Sequence, residues 1–135
     1  MKKTYVGSCH CGAVRFECDI DLAEGTSKCN CSICTKSRFW KAIVKADAFR
    51  LLQGESALSD YSFGSQSSRH LFCKRCGIKP FGRGQLEAPA STFYAINVAC
   101  LDNASPDELL SGPMRYEDGR NNNWASRPLE VRHLG

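Results

Sequence analysis

The chain has 135 residues, nine of them cysteine, and a formal net charge of +4. One domain spanning 1–135 suits that length and can bury a substantial core without relying on cross-links alone. At 42% hydrophobic and 24% charged residues, disorder, coiled coil and collagen are excluded, and no apolar run is long enough to span a membrane. No apolar stretch follows Met1-Lys2-Lys3, so a secretory leader is not expected; the expected location is cytoplasmic and the expected thiols are reduced. An odd cysteine count cannot pair completely within one chain, which leaves metal binding or redox chemistry. The basic residues are scattered without a run of five or six like charges, so neither nucleic acid nor a membrane surface is an expected partner.

In chain order, Cys9-His10-Cys11-Gly12 comes first. Residues 14–20 then alternate, with Val14, Phe16, Cys18 and Ile20 on one face and Arg15, Glu17 and Asp19 on the other, the pattern of a half-buried strand. Cys29-Asn30-Cys31-Ser32-Ile33-Cys34 follows, with a short helical turn beginning near Ser32. Residues 39–44 and, more weakly, 49–52 are strand-like. So are 58–63 and 69–73, joined by a Gly-Ser-rich turn at 64–67. Cys73-Lys74-Arg75-Cys76-Gly77 comes next. Residues 92–100 alternate with apolar side chains on both faces, which predicts a central strand. Ser105 then caps a short helix with Pro106 at its first position and Asp107 and Glu108 in its first turn, ended by Gly112-Pro113. Many short strands between turns predict a mainly β fold.

Seven cysteines carry the chemistry. Cys73-x-x-Cys76-Gly77 has the form of a zinc knuckle, in which the glycine permits a positive φ as the turn closes around the sulfurs. Two thiolates leave a closed zinc site half built, and Cys9-x-Cys11-Gly12 is the obvious source of the other two. Cys29, Cys31 and Cys34 offer three ligands and leave a fourth position open to water or a thiol, which the cation favours in its deprotonated form. The competing arrangement is a second closed zinc with a fourth ligand such as His10 or His70. Redox chemistry at Cys31 and Cys34 lacks a βαβ context. Cys18 and Cys100 are expected in the core, and His10, His70 and His133 outside the metal sites.

The three cysteine groups, within Gly7 to Gly12, Cys29 to Cys34 and Phe72 to Gly77, resemble in order and spacing the signatures of the glutathione-dependent formaldehyde-activating enzyme (GFA) and centromere protein V family. Tyr116-Glu117-Asp118-Gly119-Arg120, with Trp124 beyond, is similar to that family's C-terminal pattern. The resemblance implies several small antiparallel sheets in a β-tent fold stabilised by zinc. It implies two Zn2+ sites, a structural one on Cys9, Cys11, Cys73 and Cys76 and a second, catalytic one on Cys29, Cys31 and Cys34. It implies a carbon–sulfur lyase that joins or releases a small thiol such as glutathione and an aldehyde such as formaldehyde. The alternative is a non-catalytic zinc module acting in protein interaction.

For an anionic thiol the candidate cations are Lys36, Arg38 and Arg69, with Lys28 nearby, and Phe39 and Trp40 are candidate walls, one of them expected in the core instead. With seven ligand thiolates and two dications the formal charge drops from +4 to about +1. That balance suits a few placed cations around a small anion.

Overall fold

The computed structural model describes residues 1–64, 68–86 and 91–135. Among them ten strands dominate: β1 Lys3–Ser8, β2 Arg15–Ile20, β3 Thr26–Cys29, β4 Lys41–Lys45, β5 Phe49–Gln53, β6 Leu58–Tyr61, β7 Ser68–Cys73, β8 Phe81–Leu86, β9 Ser91–Asn97 and β10 Met114–Glu117. Two short α-helices, α1 Ser32–Ser37 and α2 Pro106–Leu109, accompany them. The strands form a three-stranded sheet, β1-β2-β5, and a seven-stranded sheet, β10-β3-β4-β9-β8-β7-β6. The mainly β fold is as expected. Pairing is antiparallel except between β3 and β10, which run parallel. No described helix is long and apolar enough to cross a membrane.

The alternation of 14–20 becomes β2, which buries Phe16, Cys18 and Ile20. Gly7 faces Phe16 across the β1–β2 ladder, where a Cβ would come within 2.6 Å of ring carbon Cε1. Four aromatic rings join the sheets. Phe16 of β2 and Phe49 of β5 meet Phe81 of β8 and Tyr94 of β9, with centroids 5.6 Å apart for Phe16–Phe81 and 4.7 Å for Phe49–Phe81. Such pairs contribute about 0.5–1.5 kcal/mol each beyond the area they bury.

β9 is central, flanked by β4 and β8, but it stops at Asn97 rather than continuing to Cys100. The Asn97 side chain accepts from the Ala99 amide at 3.2 Å and donates to the Lys79 carbonyl at 2.9 Å, which turns the chain into a 3-10 turn at Val98–Cys100. Cys100 is therefore half-buried and outside the strand, whereas Cys18 is fully buried. The strand expected at 39–44 starts at Lys41, because Arg38 closes α1 in the left-handed region at φ 57° and the chain must first recover. Beyond Gly64, the turn expected at 64–67 lies outside the described residues. The helix expected after Ser105 forms with a complete capping box. Its Glu108 carboxylate also accepts from Tyr5 Oη at 2.7 Å and Lys3 Nζ at 3.0 Å, fastening α2 to β1.

Two candidate metal centres and a cavity

The first cysteine group is built from two similar turns. After β1, the Gly12 amide donates to the Cys9 carbonyl at 3.2 Å and Gly12 takes φ 81°. After β7, the Gly77 amide donates to the Cys73 carbonyl at 2.8 Å and Gly77 takes φ 77°. Each glycine occupies the left-handed region that a Cβ disfavours. The turns bring the sulfurs of Cys9, Cys11, Cys73 and Cys76 within 4.8 Å of one another, so they could hold one ion. Amides point at the sulfurs, Val14 N–H on Cys9 Sγ at 3.3 Å and Arg75 N–H on Cys73 Sγ at 3.4 Å, as suits thiolates. Cys76 is held down at about 6, first by the Ile78 amide. Ligand type and convergence fit a four-coordinate zinc.

The second group sits at the β3–α1 junction. Cys29 ends β3, Cys31 is the N-cap of α1 and Cys34 lies in its first turn. These sulfurs also lie within 4.8 Å of one another, and the Cys31 amide donates to Cys29 Sγ at 3.4 Å. Hydrogen bonds from Cys29 and then Cys34 hold the Cys31 thiol below the usual range, helped by the amides of Cys34 and Ile33. Cys34 is pushed up by bonding to Cys29 and Cys31 and by burial. Three converging sulfurs, one already favouring the anion, fit a cation with a fourth position left over.

The C-terminal pattern braces this group. The Asn30 side chain, buried between two cysteines, donates to Asp118 Oδ1 at 2.8 Å and accepts from the Arg120 amide at 2.9 Å. Between those partners lies Gly119. A Cβ there would overlap Cys29 Sγ and come within 2.5 Å of the Trp124 ring. Asp118 is kept ionised by the amide groups of Asn121 and then Asn30.

Cys29, Cys31 and Cys34 line a cavity of about 340 Å3, with Phe39, Phe63 and Trp124 among its walls. Among the described residues no Asp or Glu lines it, while Lys41, Arg69, Arg83, Lys79 and His70 do. That size and mixture suit a small anionic ligand. Of the cations expected from sequence, Arg69 is in place, where it also pairs with Asp60. Lys36 and Arg38 are exposed and absent from the lining, and the Arg38 guanidinium donates to the His133 carbonyl at 2.7 Å. Phe39 is the wall, whereas Trp40 packs on the core and donates from Nε1 to Thr26 Oγ1 at 2.7 Å. Lys41, which also lines the cavity, forms an ion pair with Glu117. A larger cavity of about 530 Å3 also includes Lys41, but its described lining contains no cysteine.

His70 stands on the opposite side of β7 from Cys73 and so reaches the second group's cavity, while His10 and His133 are exposed. His70 stacks on Phe63 with centroids 5.7 Å apart and lies 2.6 Å from Lys79 Nζ through Nδ1. Lys79 and Gly119 were not singled out by the sequence reading. The signal for Lys79 was its place between the knuckle and a proline, which fixes an extended backbone.

The family model described as glutathione-dependent formaldehyde-activating enzyme matches residues 4–114. The crystal structure of a Rhodobacter sphaeroides protein is similar, with a TM-score of 0.67 at 31% sequence identity, covering 81% of this chain and 98% of that one. The chain belongs to the glutathione-dependent formaldehyde-activating enzyme family.

Proposed function

We propose, from this membership and the cavity, that the chain is a zinc-dependent carbon–sulfur lyase that joins a small thiol to an aldehyde or releases one from the adduct. Glutathione and formaldehyde are the substrates the family name suggests. The reading rests above all on one observation: three converging cysteines open onto a cavity that has cationic walls and, among the described residues, no carboxylate. Cys29, Cys31 and Cys34 are the ligands of the reactive zinc, and Cys9, Cys11, Cys73 and Cys76 those of the structural one. Zinc at the three-cysteine site supplies positive charge that favours the deprotonated substrate thiol.

The chain's own groups do the rest. Arg69 and Arg83 offer forked donors to the carboxylates of a glutathione-like thiol. Arg69 is exposed, so its contribution is to orientation more than to affinity. Phe39 and Phe63 present apolar surface on which the thiol's carbon chain lies.

Metal analysis of protein prepared without chelator is expected to give two zincs per chain. Exchange spectroscopy with 13C-formaldehyde and glutathione is expected to show adduct exchange above the uncatalysed rate. Two zincs without added exchange would reject the lyase reading and favour a non-catalytic zinc module.

A further inference from the structure

Addition of a thiolate to an aldehyde places negative charge on the carbonyl oxygen, which needs a proton. The three cysteines cannot give one and remain ligands. Lys79 and His70 can. Lys79 Nζ and His70 Nδ1 are 2.6 Å apart, and both side chains line the cavity with Cys31 and Cys34.

The pair is held in place from several sides. Lys79 Nζ lies 4.2 Å from the centroid of the Phe39 ring, and the Lys79 carbonyl accepts from Asn97 Nδ2 at 2.9 Å. Pro80, fully buried, fixes the following backbone. His70 is stacked on Phe63. Lys79 is half-buried, and among the described residues no carboxylate lines the cavity to neutralise it. Burial weakens the hold of Lys79 on its proton, Cys34 and Cys31 strengthen it, and Lys41, itself paired with Glu117, weakens it again. Burial and then Lys79 weaken the hold of His70 on a second proton, while Cys31 strengthens it. The cationic Arg69 and Arg83 share the cavity.

We propose that Lys79 carries the proton of the thiol–aldehyde reaction and that His70 is its positioning partner, an inference that rests on the lyase reading above. The thiol proton passes to Lys79 and the sulfur lone pair forms the C–S bond. The carbonyl π pair moves to oxygen, and the Lys79 ammonium returns the proton there. In reverse, the lysine amine takes the hydroxyl proton, the carbonyl re-forms, the C–S pair leaves on sulfur, and the Lys79 ammonium returns the proton to that sulfur. No electrons are gained or lost overall.

The test compares Lys79→Met, Lys79→Arg and His70→Gln with the wild-type zinc protein. Arginine keeps the charge but cannot release a proton near neutral pH. Both Lys79 variants are expected to retain two zincs and bind glutathione, by calorimetry, within about fivefold of wild type, while kcat in the 13C exchange assay drops about 100-fold. His70→Gln is expected to lower kcat about tenfold and to move the Lys79 resonance in 13Cε-lysine-labelled protein. Wild-type kcat in either Lys79 variant overturns the proposal, and so does a loss confined to glutathione affinity or zinc content. A Lys79 resonance unmoved by His70→Gln overturns the pairing. A wild-type protein with no exchange overturns the lyase reading and this proposal with it. Variants slowed only in kcat support both.

Discussion

At the scale of single residues, Gly119 has a sharp requirement that bears directly on the second cysteine group. The space its Cβ would occupy is taken by Cys29 Sγ on one side and the Trp124 ring on the other. Gly119→Ala is expected to displace the cysteine, so zinc analysis should fall from two ions per chain to one while the first group keeps its metal. The two cysteine groups that converge were legible because metal chemistry favours such spacings. Gly119 was visible only as part of a C-terminal pattern, since its task is to leave room and room is a property of neighbours distant in sequence. Lys79 was hidden for a similar reason. A lysine is ordinarily a solvated charge, and what this one lies against is the ring of Phe39, forty residues earlier in the chain.

At the scale of elements, the start of α2 is legible, since cap, proline and acids all lie within one turn, whereas the helix ends at Leu109, short of Gly112-Pro113. Ser105→Ala removes the side-chain acceptor of the Glu108 amide and should cost about 1 kcal/mol in denaturant titration. The same helix links to β1 through Tyr5. Burial and then the bond to Glu108 push the Tyr5 phenol from 10.0 to about 12. A folded-state value above the unfolded one means the contact stabilises fully below pH 10 and is lost as pH rises towards 12. The melting temperature of wild type should therefore exceed that of Tyr5→Phe by a constant margin from pH 7 to about 9.5, then lose that margin in the alkaline range. The sequence does not announce β1, β3, β8 or β10, and β1 buries only Tyr5 and Gly7. β3 and β10 have four residues each, too few for a period to register. In β8, Gly82 and Gly84 interrupt the pattern, and Gly84 is there because the Phe93 ring lies over it.

At the scale of the whole molecule, the first cysteine group joins the two sheets. Cys9 and Cys11 follow β1 of the three-stranded sheet, and Cys73 and Cys76 end and follow β7 of the seven-stranded one. The aromatic cluster of Phe16, Phe49, Phe81 and Tyr94 spans the same junction. Phe16→Ala should cost about 3–5 kcal/mol, a large share of the roughly 5–15 kcal/mol that keeps an ordinary domain folded. Structural zinc contributes roughly 10–16 kcal/mol of apparent folding energy in small modules, so losing it should be more damaging still. The second group ends on a cavity wall rather than between sheets, and its loss should leave the fold standing. The most direct measurement is zinc content per chain in Cys31→Ser, taken with a thermal melt of the same sample and set beside Cys73→Ser. The division into one structural and one reactive centre predicts about one zinc and a near wild-type melt for Cys31→Ser, with Cys73→Ser unfolded. Loss of both zincs and of the cooperative melt in Cys31→Ser would contradict it.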